Sequence, residues 1–102
     1  MDKETLDQQL RFPLYALYYV DDVKDFPKLS ERVVVKFTKD YPKEQLENIK
    51  TAIHWGVNNP DYNFNSLLPN IPYNNQEILK YFEILDKQFS ALEINGNDVK
   101  KE

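Results

Sequence analysis

Apolar positions recur every three to four residues along most of this chain, the period of a helix rather than a strand. The clearest run is the last. Ile78, Phe82, Leu85, Phe89 and Leu92 share one face, widened by Leu79, Tyr81 and Ile84. Asn74 and Glu77 form a capping pair at its start, Glu83 and Lys87 make an i,i+4 pair on the wet side, and Asn95-Gly96 supplies a stop. Before it, Leu46, Ile49, Ile53 and Val57 follow an Asp40-Tyr41-Pro42 start, with Ala52 and Gly56 small enough to admit a close neighbour. The sequence therefore predicts helices over about 42–57 and 75–93, packed through Ile49, Ile53, Phe82, Leu85 and Phe89.

Two earlier stretches read both ways. Leu29, Val33, Phe37 and Tyr41 stack at four-residue spacing behind Pro27, but Arg32 to Thr38 also alternates, and three consecutive valines favour a strand. The helical reading accounts for residues 27–41 and the strand reading for only seven of them, so helix is preferred. Leu14 to Val20 is an unbroken apolar run. Leu14, Leu17, Tyr18 and Asp21 would share a helical face, and only Val20 is β-branched, which again favours helix. Thr5 with Gln8 reads as a capping box for a short first helix through Leu10, ahead of Pro13. The expected fold is an all-α single domain, a bundle of four to five helices over residues 1–96, with a charged, frayed tail at 97–102. The alternative is an α+β fold with a small sheet from residues 14–20 and 32–38.

The link between the two clearest helices, Asn58 to Gln76, holds seven asparagines and three prolines. That composition favours ordered turns, because asparagine competes for backbone hydrogen bonds and proline fixes φ. At about 19 residues it exceeds the usual connection in a bundle, and Leu67, Leu68 and Ile71 argue against disorder. Asn65 to Leu68 suits a single helical turn.

Composition narrows the function. With 102 residues, 41% apolar and 29% charged, the chain is an ordinary globular domain. The longest apolar stretch, Phe12 to Val20, is about half of what a bilayer crossing needs. The first residues show no basic-then-apolar leader, so a cytoplasmic protein is expected. The absence of cysteine excludes disulfides, thiolate metal sites and cysteine nucleophiles. A net charge of −4 disfavours a broad nucleic-acid footprint. The stripe Lys28, Arg32, Lys36, Lys39 and Lys43 is diluted by Glu31, Asp40, Glu44 and Glu47, as in a solvated helix face.

Catalytic groups are sparse. The single histidine, His54, falls on the solvent side of its helix near Glu47, Lys50 and Asn58, without a second histidine to complete a metal site. Two glycines cannot build a phosphate-cradling loop. No enzyme, metal or cofactor is expected. Two features remain. Asp21, Asp22 and Asp25 gather three carboxylates within five residues, offset in part by Lys24. Tyr62, Phe64 and Tyr73 place aromatic area on a proline-restricted loop, while Tyr15, Tyr19 and Trp55 lie off the main apolar stripes. Acidic groups steer a protein toward a basic partner and aromatic side chains anchor it, so these six residues, Asp21, Asp22, Asp25, Tyr62, Phe64 and Tyr73, form the candidate partner interface. The plainer alternative is that the aromatics pin the loop onto the bundle.

No diagnostic family motif aligns with these residues. As a class, a small, cysteine-free, acidic, aromatic-rich protein without catalytic groups resembles bacterial toxin-immunity proteins and other small protein inhibitors. Enrichment in Asn, Lys, Ile and Tyr is similar to coding from an AT-rich bacterial or phage genome. That resemblance implies a monomer that binds a toxin domain, a nuclease being the natural complement of an acidic surface. A regulatory inhibitor or adaptor acting on a host protein would use the same surface. A small helical nucleic-acid-binding domain, reading through the lysine stripe, is the third possibility.

Overall fold

The computed structural model describes the backbone of residues 2–101 and the side chains of residues 2–91. Four α-helices make up the described chain: α1 (Lys3–Leu14), α2 (Phe26–Asp40), α3 (Lys43–Val57) and α4 (Asn75–Lys101). Three short 3-10 turns, Tyr15–Tyr19, Val23–Asp25 and Phe64–Leu67, connect them. No strand forms among the described residues, so the all-α expectation holds and the sheet from 14–20 and 32–38 does not exist. None of the described helices is long and apolar enough to cross a membrane.

Helix α4 is central. It packs against both α2 and α3, and α1 lies against α3. Ile49, Ile53, Phe82, Leu85 and Phe89 are all buried at this junction, as their spacing predicts. The start of α4 is a reciprocal cap: Asn74 Oδ1 accepts from the Glu77 amide and Glu77 Oε1 from the Asn74 amide, each at 2.9 Å. The helix does not stop at Asn95-Gly96, since glycine inside a helix costs only about 0.5–1 kcal/mol. The packing of Leu92 and the frayed character expected of 97–102 lie outside the described side chains.

Helix α2 settles the valine ambiguity. Val33, Val34 and Phe37 are buried and Val35 is 66% exposed. A strand would have buried Val33, Val35 and Phe37 together. Lys43 of the basic stripe, also exposed, belongs to α3, whereas Lys28, Arg32, Lys36 and Lys39 are exposed on α2, as expected of a wet face. Asp40 ends this helix instead of capping the next, and Pro42 holds the N-cap of α3, its carbonyl accepting from Leu46 N at 2.9 Å.

Helix α1 departs from its expected limits. Asp2, not Thr5, is the cap, its Oδ1 accepting from the Thr5 amide at 2.8 Å. The helix continues through Pro13 to Leu14 rather than ending at Leu10. A proline in the last turn removes one donor, which the chain accommodates by tightening into the 3-10 turn that follows. The reward is burial of Leu6, Leu10, Leu14 and Leu17. Tyr81, fully buried on α4, donates its hydroxyl to the Pro13 carbonyl at 2.9 Å and so locks this end to the core.

Candidate protein-docking surface

The 3-10 turn explains which side chains reach the surface. Three residues per turn stack positions i and i+3, so Leu14, Leu17 and Val20 point inward while Tyr15 and Tyr18 share an outer edge. Tyr15 is 50%, Tyr18 40% and Tyr19 86% exposed. The expectation that Tyr18 shares a helical face with Leu14 and Leu17 is corrected here, because that grouping assumes the α period and the segment is a 3-10 turn. Two bonds hold the C-terminal end of the turn, and the Tyr81–Pro13 bond fixes the chain just before it. Tyr18 donates its hydroxyl to the Pro69 carbonyl, and Tyr73 donates to the Val20 carbonyl at 2.7 Å.

The acidic residues follow directly. Asp21, Asp22 and Asp25 are all exposed. Asp22 Oδ1 accepts from the Lys24 amide at 3.0 Å and shapes the Val23–Asp25 turn, and its other oxygen lies 3.9 Å from the Lys24 ammonium. The side chains of Asp21 and Asp25 have no hydrogen-bond or ion-pair partner among the described residues. They share a cleft of about 350 Å3 with Tyr19, Val20, Lys28 and Arg32. Asp25 also sits at the N-cap of α2, where the helix dipole favours negative charge. Burial raises the Tyr73 hydroxyl above its usual pKa, and the negative charges of Asp21, Asp22, Asp25 and Glu77 add to the rise.

The loop aromatics do something else. Phe64 is fully buried and Tyr73 nearly so, so neither is a surface anchor, and the structure corrects that part of the expected interface. Phe64 packs edge-on to Phe82 with ring centres 5.1 Å apart, and its ring fills the space above Gly56, where a Cβ would come within 3.1 Å. Tyr73 meets Phe26 at 5.0 Å. Tyr62 is half-buried between Trp55 and Phe64 and donates its hydroxyl to the Asp7 carboxylate; burial first, and then that carboxylate, push it up to about 12. All three pin the loop to the bundle. Asn75 completes the staple, with Oδ1 accepting from the amides of Phe64 and Asn65 and Nδ2 donating to the Tyr62 carbonyl. Asn70, at φ 57°, takes the left-handed turn that asparagine tolerates.

His54 is exposed on α3, and its Nδ1 lies 3.2 Å from both carboxylate oxygens of Asp86 on α4. Asp86 is a partner that sequence spacing does not suggest. No hydroxyl bonds to the ring among the described residues, so the pair lacks the third member of a nucleophilic triad. Nor do three His, Cys, Asp or Glu side chains converge to hold a metal ion among the described residues. No family model, curated protein or solved structure matches the chain.

Proposed function

We propose that this chain is a non-enzymatic protein-binding protein that docks on a basic face of its partner through Tyr15, Tyr18 and Tyr19, with Asp21, Asp22 and Asp25 beside them. The observation that carries the reading is Tyr19, 86% exposed on a turn whose neighbours are fixed. Large aromatics bury much area at little entropic cost, and a preordered turn subtracts little from affinity. The three exposed rings offer roughly 350 Å2, under half of one side of a standard interface, so they are the anchor and the carboxylates the surround. A toxin domain is the partner class we favour, a phosphate-handling nuclease above others, because such proteins present lysine and arginine to solvent. Free in the cytoplasm, the chain would be a monomer. A regulatory inhibitor of a host protein would use the same surface.

The test begins with the adjacent reading frame. Its product should impair growth when expressed alone, and co-expression of this chain should restore it. In binding kinetics, Tyr19→Ala should speed dissociation by about 30-fold, as for an interface hot spot. Asp21→Asn with Asp25→Asn should slow association and flatten its salt dependence. An adjacent product that binds while both sets of variants stay within twofold of the parent would refute this surface.

A further inference from the structure

The junction between α3 and the long loop carries a cleft of about 500 Å3 lined by Trp55, Asn58, Asn59, Pro60, Asp61 and Tyr62. None of these residues belongs to the docking surface described above. Acceptors outnumber donors among the polar groups of the cleft, where the uncommitted donors are the second N–H of each asparagine amide and the Trp55 indole N–H. Nδ2 of Asn58 donates to the His54 carbonyl at 2.9 Å, and Nδ2 of Asn59 to the Trp55 carbonyl at 2.8 Å. Each amide thus commits a donor to the helix end, while its Oδ1 accepts from no described residue. The exposed Asp61 carboxylate has no partner among the described residues either. Among the described residues no lysine, arginine or histidine lines the space, and the nearest positive charge felt by its wall is that of Arg11 on the Tyr62 hydroxyl. The C-terminus of α3 adds the negative end of its dipole.

The apolar wall is aromatic. Trp55 and Tyr62 stand nearly perpendicular, at 86° with ring centres 4.9 Å apart, and the bond from Tyr62 to Asp7 holds the second ring in place. Aromatic faces attract cations, indole most strongly. Acceptors in excess of donors, beside π faces and without a resident cation, complement a positively charged group that brings its own N–H donors. We propose that this cleft binds a ligand carrying an alkylammonium or guanidinium group, with the head on Asp61 and the asparagine oxygens and the stem against Trp55 and Tyr62. The volume lies within the ordinary range for small organic ligands. The group belongs either to a lysine or arginine side chain of a polypeptide or to a free amine. The site stands whether or not the tyrosine–aspartate surface docks a protein.

Trp55 is the sole tryptophan, so its fluorescence reports this cleft directly. Titrating the folded chain with n-butylammonium and with n-propylguanidinium should give saturable changes, with dissociation constants of about 1–10 mM for ligands so small. Two controls separate charge from bulk: 1-pentanol keeps the stem without the charge, and tetramethylammonium keeps the charge without N–H donors. Both should bind about fivefold more weakly or worse. Asp61→Asn should weaken the two cations to a similar degree while leaving the urea midpoint unchanged, since that side chain is exposed and unpaired. Tighter binding of a capped lysine or arginine amide than of the bare fragment would assign the group to a polypeptide. Tighter binding of a linear triamine would assign it to a free amine. Pentanol or tetramethylammonium binding as well as butylammonium, no saturation by either cation, or an Asp61→Asn variant of undiminished affinity would each overturn the proposal.

Discussion

Asn75→Ala is the substitution expected to loosen the loop without touching the apolar core. Its side chain makes three bonds: from Phe64 N at 2.7 Å, from Asn65 N at 3.2 Å and to the Tyr62 carbonyl at 2.8 Å. A neutral hydrogen bond contributes about 0.5–1.5 kcal/mol net. The two amide bonds share one oxygen and the 3.2 Å one is long, so together they count for little more than one good bond. Alanine is the better helix former at the first position of α4, which returns a few tenths of a kcal/mol. The expected loss is therefore about 2 kcal/mol, or a fall in Tm on the order of 10 °C for a domain of this size. Urea unfolding followed by Trp55 fluorescence measures it, and the slope should not change because the same surface is exposed on unfolding. Hydrogen exchange at the Phe64 and Asn65 amides should accelerate more than exchange in α4. A loss under about 0.5 kcal/mol with unaltered exchange at those amides would mean that packing of Phe64 alone holds the loop, and the stapling argument fails.

Phe82→Ala removes a fully buried ring between Phe64 and Tyr81 and should cost about 3–5 kcal/mol in urea melts; a variant as stable as the parent would mean the core is misplaced. His54→Ala breaks only a solvent-open pair with Asp86, so stability should change by less than about 1 kcal/mol, and partner binding should stay within a few-fold. Folding holds the hydroxyls of Tyr62, Tyr73 and Tyr81 above their ordinary value, mainly by burial. The unfolded chain therefore ionises first, and the stability these neutral tyrosines retain is full below about pH 10 and drains away as pH rises toward the folded values. Urea midpoints should decline across that alkaline window, and a flat profile there would count against buried, neutral tyrosines.

What the sequence could reveal depended on whether one stripe of one helix carried the information. Helices α3 and α4 each bury a single face, so Ile49, Ile53, Ile78, Phe82, Leu85 and Phe89 announce themselves by spacing alone. In α2, the length of the segment decided between helix and strand, and burial of Val34 in place of Val35 agrees. The tyrosines were harder. Tyr15, Tyr18 and Tyr19 depend on a change of period just past Pro13, a junction property that composition does not carry. Tyr73 and Phe64 are buried by partners such as Val20, Phe26, Gly56 and Phe82, and no local pattern links residues so far apart. Asn74 and Asn75 show the same limit side by side: the capping role follows from Glu77 three residues on, whereas the stapling role requires knowing where residues 62–65 return.

The three-residue period after Pro13 also makes this short segment unusually sensitive to changes in length. Each residue of a 3-10 turn advances about 120° around the axis. A single-residue change between Pro13 and Leu17 would rotate the remainder by a third of a turn: a deletion brings Tyr18 to the site of Leu17, and an insertion moves Leu17 to the exposed site of Tyr18. Surface loops normally absorb insertions readily, and a stretch with three exposed tyrosines looks like such a loop. Here point substitutions at Tyr15 or Tyr19 should be silent for folding while single-residue indels are not. A library of such indels, sorted for folded protein, would show a gap at residues 14–17 that an exposure profile alone does not foresee.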